Sequence, residues 1–210
     1  MAANFVITIG RQFGSGGKCV GELIARRLGI ALYDKQLINL AAERSGFSPE
    51  HFERADEQTQ KGMLAALISY FRSPVVSDYS LQNPLSNDSL FKIQSDVIRQ
   101  LSEQESALFV GRCADYILRE HPRTVSIFLT ADMPTRIRRV ADRMGLSDEE
   151  AAKLIECTDE RRRRYYNYYS SRSWGEASSY DLTINTSILG DEATADLIID
   201  FAAKKLKIDF

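Results

Sequence analysis

Gly10-Arg-Gln-Phe-Gly-Ser-Gly-Gly-Lys-Cys19 places four glycines and two cations within ten residues, directly after the apolar run Phe5–Ile9. Glycines let backbone N–H groups approach an anion, and a helix starting at such a loop adds the positive end of its dipole. These residue types suit phosphate, with Gly14, Ser15, Gly16, Gly17, Lys18 and Cys19 as candidate contacts. Two registers of the phosphate-loop pattern G-x-x-x-x-G-K-[ST] compete. Taking Gly17-Lys18 as the G-K pair puts Gln12 at the first glycine and Cys19 at the hydroxyl that should hold Mg²⁺. Taking Gly16 as the second glycine puts Arg11 at the first, Gly17 at the lysine and Lys18 at the hydroxyl. A glycine-rich strand-to-helix turn with no ligand is the remaining reading.

Two other places carry suitable charge. Asp34 ends the short apolar run Ile30–Tyr33, and Arg112 follows Ala107-Leu-Phe-Val-Gly111. In an open parallel sheet, ligands bind outside the carboxyl ends of the strands, where both residues and the loop fall. An arginine beside a phosphate loop suits bidentate contact with a second phosphate. The third place is Asp159-Glu-Arg-Arg-Arg-Arg-Tyr-Tyr-Asn-Tyr-Tyr. At about 100° per residue, four consecutive arginines surround a helix, so one or two can face a cleft while the others stay solvated. Phosphoryl transfer needs such cations, because negative charge spreads over the oxygens of the transferred group. A fully solvated helix face is one rival reading. Stacking on single-stranded nucleic acid is another, and the net charge of −2 argues against it.

The elements that must position these residues alternate strand and helix, the pattern of a parallel sheet covered on both faces. Strands are expected over Phe5–Ile9, Ile30–Asp34, Ala107–Gly111, Thr124–Ala131 and Tyr180–Asn185. Val20, Leu23, Ile24 and Leu28 recur at helical spacing, so Lys18–Leu28 reads as a helix closed by Gly29. Further helices are expected over Lys35–Arg44, from Ser48 and Pro49, and over Met63–Phe71. Residues 73–88, rich in Ser, Asn and Pro, read as a long loop. Helices follow over Leu90–Gln104 and Asp132–Gly145, the latter capped by Asp132. Its Arg136, Arg138, Arg139 and Arg143 read as a solvated basic face. Another helix runs from Ser147, with Glu150 completing a capping box, through Arg164 to a Tyr-rich connector, and the last spans Asp191–Leu206.

The 210 residues suit one domain with a small subdomain, and 44% apolar residues suffice for a core. Cys19, Cys113 and Cys157 are widely spaced and read as reduced thiols; His51 and His121 read as surface residues. No basic-then-apolar leader opens the chain and no apolar run approaches a membrane span, so a cytoplasmic location is expected.

In order along nearly the whole chain, Ile7–Lys18, Leu28–Lys35, Val110–Leu118, Ile127–Ala131, Asp159–Arg161, Tyr165–Tyr169, Trp174 and Tyr180–Thr186 resemble the cytidylate kinase-like family. That family is related to the bacterial (d)CMP kinases. The resemblance implies an α/β fold: a P-loop NTPase-type three-layer sandwich with a five-stranded parallel sheet. It also implies a helical acceptor-binding insertion at about 47–89 and a short lid at about 157–175. The loop Gly14–Lys18 would hold ATP; Asp34, Arg112 and Asp159 would bind the acceptor; Arg161 and Arg164 would close over the transferred phosphate. Lys18, or Arg11 in its place, would supply the loop cation, and Mg²⁺ would bridge the phosphates. (d)CMP kinases resemble G-x-x-G-x-G-K-[GS]-T in the loop, and this chain fits them best with Gly17 at the lysine. They carry Gly-Arg-Asp where Cys113 replaces the aspartate, and an arginine where Leu40 stands. The expected activity is transfer of the ATP γ-phosphate to (d)CMP. A different small-molecule acceptor and a non-catalytic nucleotide-binding role are the alternatives; neither a nucleic-acid nor a membrane partner is expected.

Overall fold

The computed structural model describes residues 4–34 and 84–210. Among them, five strands form one parallel sheet: β1 (Val6–Arg11), β2 (Ala31–Tyr33), β3 (Ala107–Val110), β4 (Thr124–Thr130) and β5 (Leu182–Asn185). Their spatial order is β2-β3-β1-β4-β5. This is the five-stranded parallel sheet expected from the sequence. The described helices are α1 (Gly17–Leu28), α2 (Pro84–Gln104), α3 (Ala114–Ile117), α4 (Met133–Met144), α5 (Asp148–Ser170) and α6 (Thr186–Leu206). None is long and apolar enough to cross a membrane.

β1 is central because it is apolar on both faces, as a strand covered by helices must be. Ile7 and Ile9 are fully buried in one core with Val20 and Ile24 of α1 and Ala195 and Ile198 of α6. The opposite face is aromatic. Phe128 meets Trp174 edge-on at 5.3 Å and Tyr180 at 4.8 Å, while Phe109 stacks on Tyr33 at 5.3 Å. Each such side chain contributes about 1.5–3 kcal/mol through removal from water. The chain divides into two compact units, Met1–Asp34 with Arg99–Phe210, and Lys35–Ile98. The sheet and the glycine-rich loop belong to the first; the described part of the second is helical.

Several boundaries differ from expectation. β1 continues two residues past Ile9, since Gly10 and Arg11 pair with Phe128 and Leu129 of β4. Arg11 is therefore a strand residue. α2 begins at Pro84, so residues 84–88 are helix rather than loop, and proline suits a first helical turn. α5 runs through the tyrosines to Ser170 because Tyr166 is buried and Tyr165 packs on Tyr169 at 4.8 Å. The capping box of Ser147 and Glu150 is formed. Asp132 holds the N-cap position of α4 without capping it; its Oδ1 accepts from Asn185 Nδ2 at 2.8 Å. The helices expected over 35–44, from 48 and over 63–71, residues 73–83 of the expected loop, Leu40 and His51 lie outside the described residues.

In the short helix that follows β3, Asp115 is 7% exposed and accepts a hydrogen bond from Tyr166 Oη at 2.6 Å. Burial raises its carboxyl above the ordinary range, with the Tyr166 bond and Arg172 opposing. The folded state therefore holds this proton more tightly than the unfolded chain, so the stabilisation is present at low pH and fades as pH rises through the folded pKa. Asp115→Asn removes that dependence. In urea unfolding from pH 4 to pH 7, the variant is expected to gain on the parent as pH rises. A pH-independent difference would contradict this.

Candidate functional site

The carboxyl ends of β2, β3 and β1 lie side by side and deliver Asp34, Gly111-Arg112 and Arg11 to one edge. Gly14 and Gly16 adopt left-handed backbone angles, φ 81° and 80°, that turn the loop into α1. The first intrahelical bond runs from Val20 N–H to the Gly16 carbonyl at 3.0 Å. Gly16 offers no side-chain cap. The N–H groups of Gly17, Lys18 and Cys19 thus have no acceptor within the helix and sit at its positive end, which suits an anion. Ser15 contributes backbone only: its fully buried Oγ donates to the Gln12 carbonyl at 2.9 Å.

The loop is held from behind by charge. Phe13 N–H donates to Asp159 Oδ1 at 2.7 Å, and Arg136 Nε donates to the Phe13 carbonyl at 2.8 Å. Arg136 and Asp159 form an ion pair with side chains 7% and 9% exposed. Thr186 Oγ1 donates to the Ser15 carbonyl at 2.7 Å. Arg139 reaches that same Thr186 at 3.2 Å and Asp191 at 3.0 Å. The expected solvated face of α4 is thus corrected. Arg138 is exposed, but Arg136 is buried, Arg139 is engaged, and Arg143 lies over the Phe13 ring at 5.3 Å. Arg136 shares its face with buried Val140, one turn on, and Asp159 of α5 supplies its counter-charge. Asp159, expected on the acceptor, has both carboxylate oxygens engaged in this clamp.

Of the four arginines on α5, the structure turns Arg162 inward. Its Nη1 donates to the Arg11 carbonyl at 3.0 Å, and its guanidinium lies 5.4 Å over the Phe13 ring. Burial pulls its pKa down to about 9, helped by the like charge of Arg11 and opposed by Asp159 and Asp34. Arg161 is exposed, 3.9 Å from Cys157 Sγ, and Arg163 and Arg164 pair with Glu160 on the outer surface. Sequence reading left open which of the four arginines faces the cleft, although a signal for Arg162 exists. The buried stripe of α5 includes Leu154, Ile155, Thr158, Asp159 and Tyr166, and Arg162 is the i+4 continuation from Thr158.

Arg11 Nη2 lies 3.8 Å from Asp34 Oδ1. Lys18 points elsewhere: its side chain is 66% exposed and its ammonium is 3.8 Å from Glu22. Gly111, Arg112 and Cys113 are three consecutive left-handed residues, φ 79°, 59° and 55°, turning β3 into α3. Arg112 lies near the Cys113 thiol and the Tyr165 phenol; burial raises the pKa of both, and its charge opposes the rise. The structure therefore joins Arg11, Asp34, Arg162 and the loop, with Arg112 beside Gly111. It leaves the side chains of Lys18, Arg161 and Arg164 outside that group. Cations and N–H donors around a glycine turn suit neutralisation of phosphate charge more than covalent catalysis.

The chain matches the cytidylate kinase-like family over residues 6–188. It is 26% identical over 200 residues to a cytidylate kinase of Thermoplasma volcanium, covering 92% of this chain and 89% of that one. A crystal structure of an uncharacterized protein from Eubacterium ventriosum superposes with a TM-score of 0.69 at 26% identity, covering 95% and 98% of the two chains. A shikimate kinase from Bacteroides thetaiotaomicron shares the fold at 15% identity, with a TM-score of 0.53 and coverages of 97% and 99%.

The clamp sets a stability expectation. Arg136→Met leaves the buried Asp159 carboxylate without its counter-ion, at a cost of about 3–5 kcal/mol. Urea unfolding is expected to show that loss, and a change below about 1 kcal/mol would assign the pair the weight of a surface bridge.

Proposed function

The chain belongs to the cytidylate kinase-like family, and from that premise we propose that it transfers the terminal phosphate of ATP to a nucleoside monophosphate, with CMP or dCMP foremost. One observation carries the reading: a glycine turn with open helix N–H groups lies under two inward-facing arginines, Arg11 and Arg162, beside Asp34 at the next strand ends. In the reaction an oxygen of the acceptor phosphate attacks the γ-phosphorus, the bond to the β-γ bridging oxygen breaks, and ADP leaves with that electron pair. The loop N–H groups hold the donor phosphates, and the guanidinium groups take up charge spread over the transferred oxygens. Arg112, at the end of β3, is assigned to the acceptor in the same reading.

The loop's own donors fit phosphate but not Mg²⁺. In neither register does the residue at the hydroxyl position, Cys19 or Lys18, present the oxygen ligand that a hard cation needs. No step is therefore assigned to a protein-held metal.

A second acceptor class is favoured by the turn after β3. Cys113 is 3% exposed there, and the nearby carboxylate Asp115 is committed to Tyr166. On this second reading, with no carboxylate available from the turn, the acceptor would be a phosphate-bearing small molecule other than a cytidine nucleotide.

ADP release measured with ATP, Mg²⁺ and each common nucleoside monophosphate distinguishes these readings. Turnover is expected with CMP or dCMP; turnover confined to another acceptor supports the second reading, and none with any monophosphate sinks the first. Arg162→Met is expected to lower kcat by about 10²–10³, the effect of removing one preorganised charge donor, without unfolding the chain. An unchanged kcat would exclude Arg162 from the transfer step.

A further inference from the structure

The loop departs from G-x-x-x-x-G-K at two positions, and the departures are complementary. With Gly16 as the second glycine, the first-glycine position carries Arg11 and the lysine position carries Gly17. A cation is missing where the pattern wants one and present where it wants none.

The geometry accounts for both. Arg11 is the last residue of β1, fixed opposite Leu129 of β4. Its side chain leaves the strand across Gly17: a Cβ on Gly17 would stand 2.9 Å from both Cβ and Cγ of Arg11, closer than side chains approach. The guanidinium then passes Gly111, where a Cβ would stand 1.9 Å from Nη1, and ends 3.8 Å from Asp34. One extended arginine thus occupies the space left open by two glycines. It lies between the open N–H groups of α1 and the ends of β3 and β2. Lys18, one residue beyond the lysine position, is rotated about 100° around α1 and lies beside Glu22.

We propose that Arg11 and Gly17 have exchanged roles: the cation for the terminal phosphates of a nucleoside triphosphate comes from the end of β1, crosses Gly17 and is positioned by Asp34. This rests on the kinase reading and names the charge that reading requires. A guanidinium suits the task because its planar fork meets two phosphate oxygens at once. Its origin on a paired strand fixes the root of the side chain as firmly as a helix start does.

The test is a swap. Arg11→Gly, Gly17→Lys, the double variant Arg11→Gly/Gly17→Lys and Lys18→Ala are compared in kcat, in ATP and AMP affinity by calorimetry, and in thermal unfolding. Arg11→Gly is expected to lose about a hundredfold or more in kcat, the scale of one charge donor, and to weaken ATP more than AMP. Gly17→Lys loses activity through its collision with Arg11. The double variant, which restores the lysine-bearing pattern, recovers to within about tenfold of the parent, a non-additivity expected of residues in contact. Lys18→Ala keeps at least about tenfold more activity than Arg11→Gly, since its ammonium is outside the charge-stabilising group. If Gly17→Lys alone does not fold, added guanidinium chloride restoring turnover to Arg11→Gly serves as the rescue. Three results overturn the proposal: Lys18→Ala as damaging as Arg11→Gly, ATP and AMP weakened equally in Arg11→Gly, or a double variant or guanidinium addition that rescues nothing. If the parent binds ATP but phosphorylates no acceptor, the kinase reading falls, and the ATP-against-AMP comparison still decides the role of Arg11.

Discussion

Arg136 and Asp159 lie out of water between α4 and α5, and the two backbone polar groups of Phe13 are joined to them, the N–H to the carboxylate and the carbonyl to the guanidinium. A glycine-rich turn has many accessible conformations and loses more entropy on ordering than other residues do. Tying its one bulky residue at both N–H and C=O removes most of that freedom. The pair is costly to bury, and it is compensated because every partner has a second contact. From this anchor the remaining geometry follows: Ser15 turns inward, Gly16 ends the loop, and the first N–H groups of α1 face the strand ends.

The anchoring charges come from α4 and α5, and α5 also carries Arg162, which meets Arg11 at the end of β1. Asp159 looks down at Phe13, while Arg162, three residues later, reaches the Arg11 carbonyl on the next turn of that face. A shift of α5 against α4 would therefore disturb loop and arginine together. Burial of Arg162 beside the like charge of Arg11 lowers its pKa, and Asp159 and Asp34 oppose the fall. On the kinase reading, the two guanidinium groups are in place before a phosphate arrives.

Much of the fold could be read directly. Continuous apolar runs such as Val6–Ile9 and Ala107–Val110 mark strands covered on both faces, and the Ser147–Glu150 box marks a helix start from local chemistry alone. What escaped was the facing of charged side chains. Arg136 and Arg139 looked like solvent-exposed charge because a basic helix face usually is, and their carboxylate partners, Asp159 and Asp191, lie far along the chain. Boundaries slipped where tertiary contacts outweighed composition. The tyrosines stayed helical because Tyr166 has Asp115 to donate to, and β1 reached Arg11 because β4 continued to pair with it.

The sequence by itself determined that a glycine turn follows a buried strand, that Asp34 and Arg112 stand at strand ends, and that an arginine run lies on a helix. Those are consequences of residue type and local spacing, which act over one or two turns. Only the tertiary structure decided which cation meets the loop. One residue along a helix is about 100° of rotation, so Lys18 against position 17, and Arg162 against its three neighbours, is a question of phase. Phase is set by what each helix packs against, and local sequence leaves it undefined until the sheet, α4 and α5 are in place.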